Sequence, residues 1–242
     1  MTHAPVTTAD ELLVLATGSY EHVLHDLAEP FRRASGRVLR LSIANAGGVM
    51  KKISANEPAD VVMTSAAGID ELAALGRVDA ASRVEVGRMR LGVAVRPDAA
   101  APEIATTEGF RAALLAAPSV AYIDPKGGGT SGPYFVTLFG RLGVSAEIER
   151  KGILCPNGKT IVRTVASGEA ALGLTQASEL IGADGVRFAG YLPAELQLVS
   201  VYCAAVASHA GSPGAARDFI RFVTGREGTE RFLASGWDAG AT

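Results

Sequence analysis

The spacing of apolar residues near the N-terminus limits most strongly how this chain can fold. Leu12-Leu13-Val14-Leu15-Ala16 is a short apolar run, ended by Thr17-Gly18-Ser19. Val23, Leu24, Leu27 and Phe31 then recur at helical spacing. Ser19 is a candidate N-cap, since its oxygen can accept from the free N–H groups at a helix start. Glu21, in the first turn, suits the positive end of the aligned peptide dipoles. Gly36 closes the helix, and Val38-Leu39-Arg40-Leu41-Ser42-Ile43 reads as a second strand. A strand, a helix and a strand in so short a stretch form a βαβ unit, which implies a parallel sheet and the α/β class.

The pattern repeats. Asn45-Ala46-Gly47-Gly48 reads as a glycine-bearing turn ahead of a helix over 49–55. Ala59-Asp60-Val61-Val62-Met63-Thr64 is a third strand, ending in Thr64-Ser65 before a helix over 68–75. Three strands thus end in small hydroxyl, amide or glycine residues. Ligands of open parallel sheets bind beyond the carboxyl ends of the strands, so Thr17, Gly18, Ser19, Asn45, Ala46, Gly47, Thr64 and Ser65 are candidate ligand contacts. Ordinary helix capping is the alternative for each. Further strands are expected over 88–95, 148–154, 171–176 and 198–207, with helices over 107–115, 134–142, 161–167, 214–223 and 227–234. The polar turn Pro156-Asn157-Gly158-Lys159-Thr160 and the strand end at Gln176 add Gly158 and Gln176 to the candidates.

A second constraint is Asp124-Pro125-Lys126-Gly127-Gly128-Gly129-Thr130-Ser131-Gly132-Pro133-Tyr134, between the apolar run Ser119-Val120-Ala121-Tyr122-Ile123 and a helical pattern. Glycines allow a sharp turn and a close backbone approach to a ligand, and a helix N-terminus behind such a loop favours an anion. Lys126, Gly129, Thr130 and Ser131 are therefore candidates for anion binding. Pro133 follows Gly132 where a P-loop needs lysine, and the spacing is not that of a dinucleotide fingerprint. A plain surface loop before a helix is the other reading.

The 242 residues suffice for one large domain or two small lobes, and 48% hydrophobic residues can build a core. A formal net charge of −2 gives no electrostatic reason for a nucleic-acid or anionic-membrane partner. Cys155 and Cys203 form no C-x-x-C pair, and the four histidines are scattered, so neither a metal nor another cofactor is expected. No stretch is long and apolar enough to span a membrane. The first 11 residues lack a basic and an apolar region, so the expected address is cytoplasmic as written, and periplasmic if a signal peptide was removed.

Several stretches together resemble the molybdate-binding proteins of ABC importers, over roughly residues 13–237. They are the strand-serine-helix at Ser19, Glu57-Pro58-Ala59-Asp60-Val61-Val62, Gly168-Glu169-Ala170-Ala171-Leu172-Gly173-Leu174 and the last helix pair. The resemblance implies a two-lobed type II periplasmic-binding-protein fold, with mostly parallel sheets and a ligand cleft between the lobes. The division expected is 1–88 plus 200–242 for one lobe and 89–199 for the other, with crossings near 86–92 and 196–202. Uncharged hydroxyls and backbone N–H groups hold a tetrahedral oxyanion in that family. By register the contacts fall on Ser19, on Ala46, near Thr130 or Ser131, on Gly158 and on Gln176. Two positions depart from the pattern: Gln176 stands in place of a tyrosine, and Ala46 offers no hydroxyl. With Lys126 added, the implied ligand is a small di- or tricarboxylic acid.

The same family resembles aconitate isomerase, an enzyme on this fold that moves a proton across an allylic system. The chain is therefore expected to bind a small carboxylate and isomerise it. The alternative is a receptor for molybdate or another small anion, working with an ABC permease. Such a proton shift needs a base and donors for developing negative charge. Ser19, His22 and Lys126 are the candidate catalytic residues, with Glu179 a further possible base.

Overall fold

The computed structural model describes residues 11–127 and 130–240. In chain order the elements begin β1 (Glu11–Thr17), α1 (Glu21–Ser35), β2 (Val38–Ala44), α2 (Ala46–Ser54), β3 (Val61–Ser65), α3 (Ala66–Ala74) and β4 (Val84–Val95). Next come α4 (Thr107–Ala116), β5 (Val120–Ile123), α5 (Ser131–Arg141), α6 (Ser145–Lys151), β6 (Gly152–Cys155), α7 (Gly158–Ala166), β7 (Leu172–Gln176) and β8 (Arg187–Tyr191). The chain ends with β9 (Val199–Val206), α8 (Pro213–Thr224), α9 (Arg226–Ala234) and β10 (Asp238–Ala239). Two compact units result. Among the described residues, the first comprises 11–87, Val201–Ala234 and 239–240; the second comprises Arg88–Ser200 and Ser235–Asp238.

In the first unit the strands lie in the order β2-β1-β3-β9. The first three are parallel and β9 is antiparallel to β3. Helix α1 forms because its apolar residues share one face: Val23, Leu24, Leu27 and Phe31 are buried. Gly36 ends it in the left-handed region, at φ +76, where a side chain would be strained. Asp60 is a buried carboxylate whose oxygens accept the backbone N–H groups of Leu13 at 2.9 Å and Ser212 at 3.0 Å. It thereby ties the first strand to the chain beyond the last long one, and its burial is matched by these bonds. The core around Leu15, Val62, Ile69, Leu72 and Cys203 is continuous.

The second unit has its own sheet. Strands β6, β5 and β7 are parallel neighbours, and β4 runs antiparallel to β7 and carries β8. Phe110, Phe135, Leu138, Phe139 and Leu174 lie in its core. The Tyr122 ring meets Phe139 edge-on at 5.3 Å. Gln197 extends the pairing: its Oε1 accepts from Leu91 N at 2.7 Å and its Nε2 donates to Leu91 O at 3.1 Å. Residues 235–238, expected with the first lobe, group with this unit. The cause is a buried Trp237 and an Asp238 carboxylate held by Arg90 at 3.0 Å, with the Arg90 guanidinium 3.7 Å above the Tyr191 ring.

Three expectations about elements change. The strand expected over 148–154 is helix α6 followed by β6; Ile148 is the buried anchor of the helix, and Glu147 pairs with Arg150 along it. Helix α2 starts at Ala46, so the supposed glycine turn is its first turn. Strand β8 was not anticipated, because Arg187-Phe188-Ala189-Gly190-Tyr191 carries an interior glycine and no clean alternation.

Candidate functional site

The first unit carries one set of polar groups, at the carboxyl ends of its parallel strands. Thr17 ends β1 and is buried, and its Oγ1 has no hydrogen-bond partner among the described residues. Gly18–Tyr20 is a 3-10 turn, so Ser19 does not cap α1 as expected; Tyr20 holds that position. The Ser19 hydroxyl is instead buried at 3.2 Å from the Tyr202 hydroxyl. Asn45 caps α2, accepting from Gly48 N at 2.7 Å, and Ser65 caps α3, accepting from Gly68 N at 3.2 Å. The N–H groups of Ala46 and Gly47, first in α2, have no acceptor within the helix and can face an anion. Thr64 is buried beside Ser65, with its methyl group against Gly68.

The second unit carries another set. Asp124 shapes the start of the glycine loop: its Oδ1 accepts from Lys126 N at 2.9 Å and its carbonyl from Gly127 N at 3.0 Å. The loop then lies so close to the start of α5 that a Cβ on Gly132 would stand 2.7 Å from Ile123 O, which is why glycine is needed there. Gly129 lies outside the described residues. Ser131 is buried at the first position of α5, and Thr130 precedes it. Gln176, at the end of β7, is 4% exposed; its Nε2 donates to Thr130 Oγ1 at 3.4 Å, and Thr130 Oγ1 lies 3.4 Å from Ser200 Oγ. The other amide end, Oε1, is buried with no partner among the described residues. A half-turn of the amide exchanges donor and acceptor, so either an acceptor or an NH2 group stands ready there.

Gly158 opens α7 behind Asn157, whose Oδ1 accepts from Thr160 N at 2.9 Å. The Glu179 carboxylate packs against Gly158 so closely that a Cβ there would collide with it. Thr175 donates its hydroxyl to Glu179 Oε2 at 2.5 Å. Negative charge is favourable at a helix N-terminus, so a carboxylate of the chain itself takes a place where an anion could sit. This engagement ties the Glu179 carboxylate to the start of α7.

The candidate bases differ from expectation in their surroundings. His22 is on the exposed side of α1, its Nε2 3.7 Å from Asp26. Lys126 is exposed. Tyr134 donates to Leu196 O at 2.9 Å and so pins the first turn of α5. Burial pushes the Cys155 thiol up from its ordinary value, against a hydrogen bond from Thr164, which argues against a nucleophilic role. Among the described residues, no group of three or more His, Cys, Asp or Glu is placed to hold a metal. Sequence reasoning missed Tyr202 and Ser200, because 198–207 reads as one apolar run; the signal was their period-two spacing within it.

Comparison with known proteins places this arrangement. The aconitate isomerase of a Pseudomonas species is 32% identical over 238 residues, covering 96% of this chain and 88% of that one. The Azotobacter vinelandii periplasmic molybdate-binding protein shares the fold, with a TM-score of 0.80 at 20% identity over 95% of this chain and 100% of that one. A substrate-binding protein of an ABC transporter from Agrobacterium tumefaciens gives a TM-score of 0.73 at 16% identity, over 95% of this chain and 80% of that one. These likenesses establish an α/β periplasmic-binding-protein fold with mostly parallel sheets. Residues 12–238 match the family described as bacterial extracellular solute-binding proteins, and the chain belongs to that family.

Proposed function

We propose that the protein binds a small di- or tricarboxylic acid and moves a carbon–carbon double bond in it by proton transfer, as an aconitate isomerase does. The observation that carries this reading is the 32% identity to the Pseudomonas aconitate isomerase across nearly the whole chain. The polar sets suit the ligand class. Hydroxyls of Thr17, Ser19, Ser65, Thr130 and Ser131, the Gln176 amide and the N–H groups at the start of α2 can donate to carboxylate oxygens. Lys126 adds a positive charge for a second carboxylate. Ala46 and Gln176 replace groups that would suit a tetrahedral oxyanion.

The reaction leaves composition unchanged. A proton leaves the CH2 carbon beside a carboxylate, the double bond shifts into the vacated position, and a proton returns at the former vinyl carbon. Negative charge develops on the carboxylate oxygens as the first C–H bond breaks. Preorganised donors at those oxygens stabilise that state, each by about 3–4 kcal/mol where such a group has been removed from an enzyme. Ser19 is assigned as such a donor. Lys126 and His22 are the side chains to test as base, through Lys126→Met and His22→Asn.

A second reading has its own support. The family and both fold relatives are binding proteins, and a receptor needs only to hold its anion and present it to an ABC permease. Calorimetric titration with trans-aconitate, citrate, molybdate and sulfate, followed by chromatography of the aconitate sample, separates the two. The isomerase reading expects carboxylate binding and the appearance of cis-aconitate. Molybdate binding with no response to carboxylates would overturn it in favour of the receptor.

A further inference from the structure

The last residue of β1 carries an unused hydroxyl. Thr17 is 6% exposed, and its Oγ1 has no hydrogen-bond partner among the described residues. Its direction follows from the strand. Side chains alternate between the two faces of a sheet. Leu15, two residues earlier, lies in the core with Val49 and Ile53 of α2 and Ile69 and Leu72 of α3. Thr17 therefore points to the face that these two helices cover. It pairs with Ala44 on β2, and Ala16 pairs with Met63 on β3, so Thr64 is its neighbour on the other side. Helix α2 begins two residues after Ala44, and α3 begins two residues after Thr64. The Thr17 hydroxyl thus stands in the row of strand ends from which both helices start.

The first turn of α3 suits an anion. The N–H groups of Ala66 and Ala67 have no acceptor within the helix, and the third, that of Gly68, is taken by Ser65 Oγ at 3.2 Å. Gly68 lets the buried Thr64 lie against this turn: a Cβ there would stand 2.9 Å from Thr64 Cγ2 and 3.2 Å from Thr64 Oγ1. The two alanines leave the backbone approachable. No acidic residue lies in this turn, whereas at the start of α7 the Glu179 carboxylate fills the corresponding place. Peptide dipoles and open N–H groups at a helix start favour negative charge. A buried hydroxyl that the chain does not satisfy calls for a partner from outside it, and a carboxylate can accept from that hydroxyl and from the helix N–H groups together. We propose that Thr17 and the first turn of α3 form a carboxylate subsite, which holds one particular carboxylate of the ligand through neutral donors alone. It is separate from the contacts expected at Ser19 and Ala46, and it rests on the reading of the protein as a binder of di- or tricarboxylic acids.

The test pairs two variants of the full chain with a set of acids. Thr17→Val removes the hydroxyl and keeps the shape, and Thr17→Ser restores it. Ala66→Pro removes one N–H at the first helical position, where proline is tolerated; Ser65 already has the extended backbone, φ −60 and ψ 154, that a residue before proline takes. Affinities are measured by calorimetry, directly or by displacement, with melting temperatures in parallel. The probes are trans-aconitate and the dicarboxylates mesaconate, glutaconate and itaconate, each of which lacks a different one of its three carboxylates. Thr17→Val is expected to weaken trans-aconitate and two of the dicarboxylates about tenfold, the scale of a hydrogen bond to a charged group. The third, which lacks the carboxylate held at α3, is expected to bind as it does to the wild type. Ala66→Pro should spare the same acid, and Thr17→Ser should bind all four normally. Equal losses for every acid that binds, a different acid spared by each variant, or trans-aconitate affinity unchanged in Thr17→Val would overturn the subsite while leaving the carboxylate reading in place. A folded wild-type protein that binds none of the four acids would overturn both.

Discussion

Thr17 and Gln176 each bury a polar atom that has no partner among the described residues, Oγ1 in one case and Oε1 in the other. Such atoms cost the folded state about 1–3 kcal/mol each in lost hydration. An apolar group of the same shape would not carry this cost. Thr17→Val and Gln176→Leu are therefore expected to leave folding stability unchanged or raise it by about 1 kcal/mol, a shift of roughly 2–4 °C in melting temperature for a chain of this size. Both should weaken trans-aconitate binding about tenfold. Thermal melts with and without ligand check both halves; a destabilised variant with intact binding would mean that these groups serve the fold. Ser19, Thr130 and Gln176 stand out as candidates in the sequence because each ends or follows an apolar strand. The contact of Tyr202 with Ser19 does not, because a tyrosine within an apolar run reads as core.

Among the elements, α7 shows how a helix end can be occupied from within. Its opening sequence Asn157-Gly158-Lys159-Thr160, expected as a polar turn before a helix over 161–167, is already the cap and first turn of the helix. That Glu179 would pack against that end could not be read, since the contact joins residues brought together only by β7 and the turn after it. Glu179→Gln removes the charge and keeps the shape. It is expected to lower stability by about 1 kcal/mol, the combined scale of a helix-end charge and a hydroxyl–carboxylate bond, with turnover reduced less than tenfold. Urea denaturation and the isomerase assay on the same variant check this. A hundredfold loss of turnover at unchanged stability would instead make Glu179 the base. The misreading of α6 as a strand has a local cause. Ile148, Ile153 and Leu154 give a short apolar signal, and Glu147 with Arg150, the pair that marks the helix, spans only three residues.

For the whole molecule, the alternation of strands and helices made the α/β class legible, and the family match over residues 12–238 agrees with it. The passage of Ser235–Asp238 into the second unit was not legible, because it depends on Arg90 finding Asp238 across the sequence. Burial also sets a response to alkali. Desolvation pushes the Tyr20 phenol well above its ordinary 10.0, and the Cys203 and Cys155 thiols above their ordinary 9.0. Above those ordinary values the unfolded chain releases protons that the folded chain retains, so stability is full below them and falls as pH rises. Urea midpoints from pH 7 to 11 are expected to decline above about pH 9, in line with the ordinary thiol value; a flat profile would contradict this. The central claim is that a family of binding proteins has here a member that does chemistry. It is tested most directly by incubating the protein with trans-aconitate in deuterated water and following the sample by NMR. The account predicts cis-aconitate together with deuterium at the carbons that exchange a proton, and a large loss of both in Ser19→Ala, about a hundredfold or more. Binding of trans-aconitate with neither isomer formed nor deuterium taken up would contradict it.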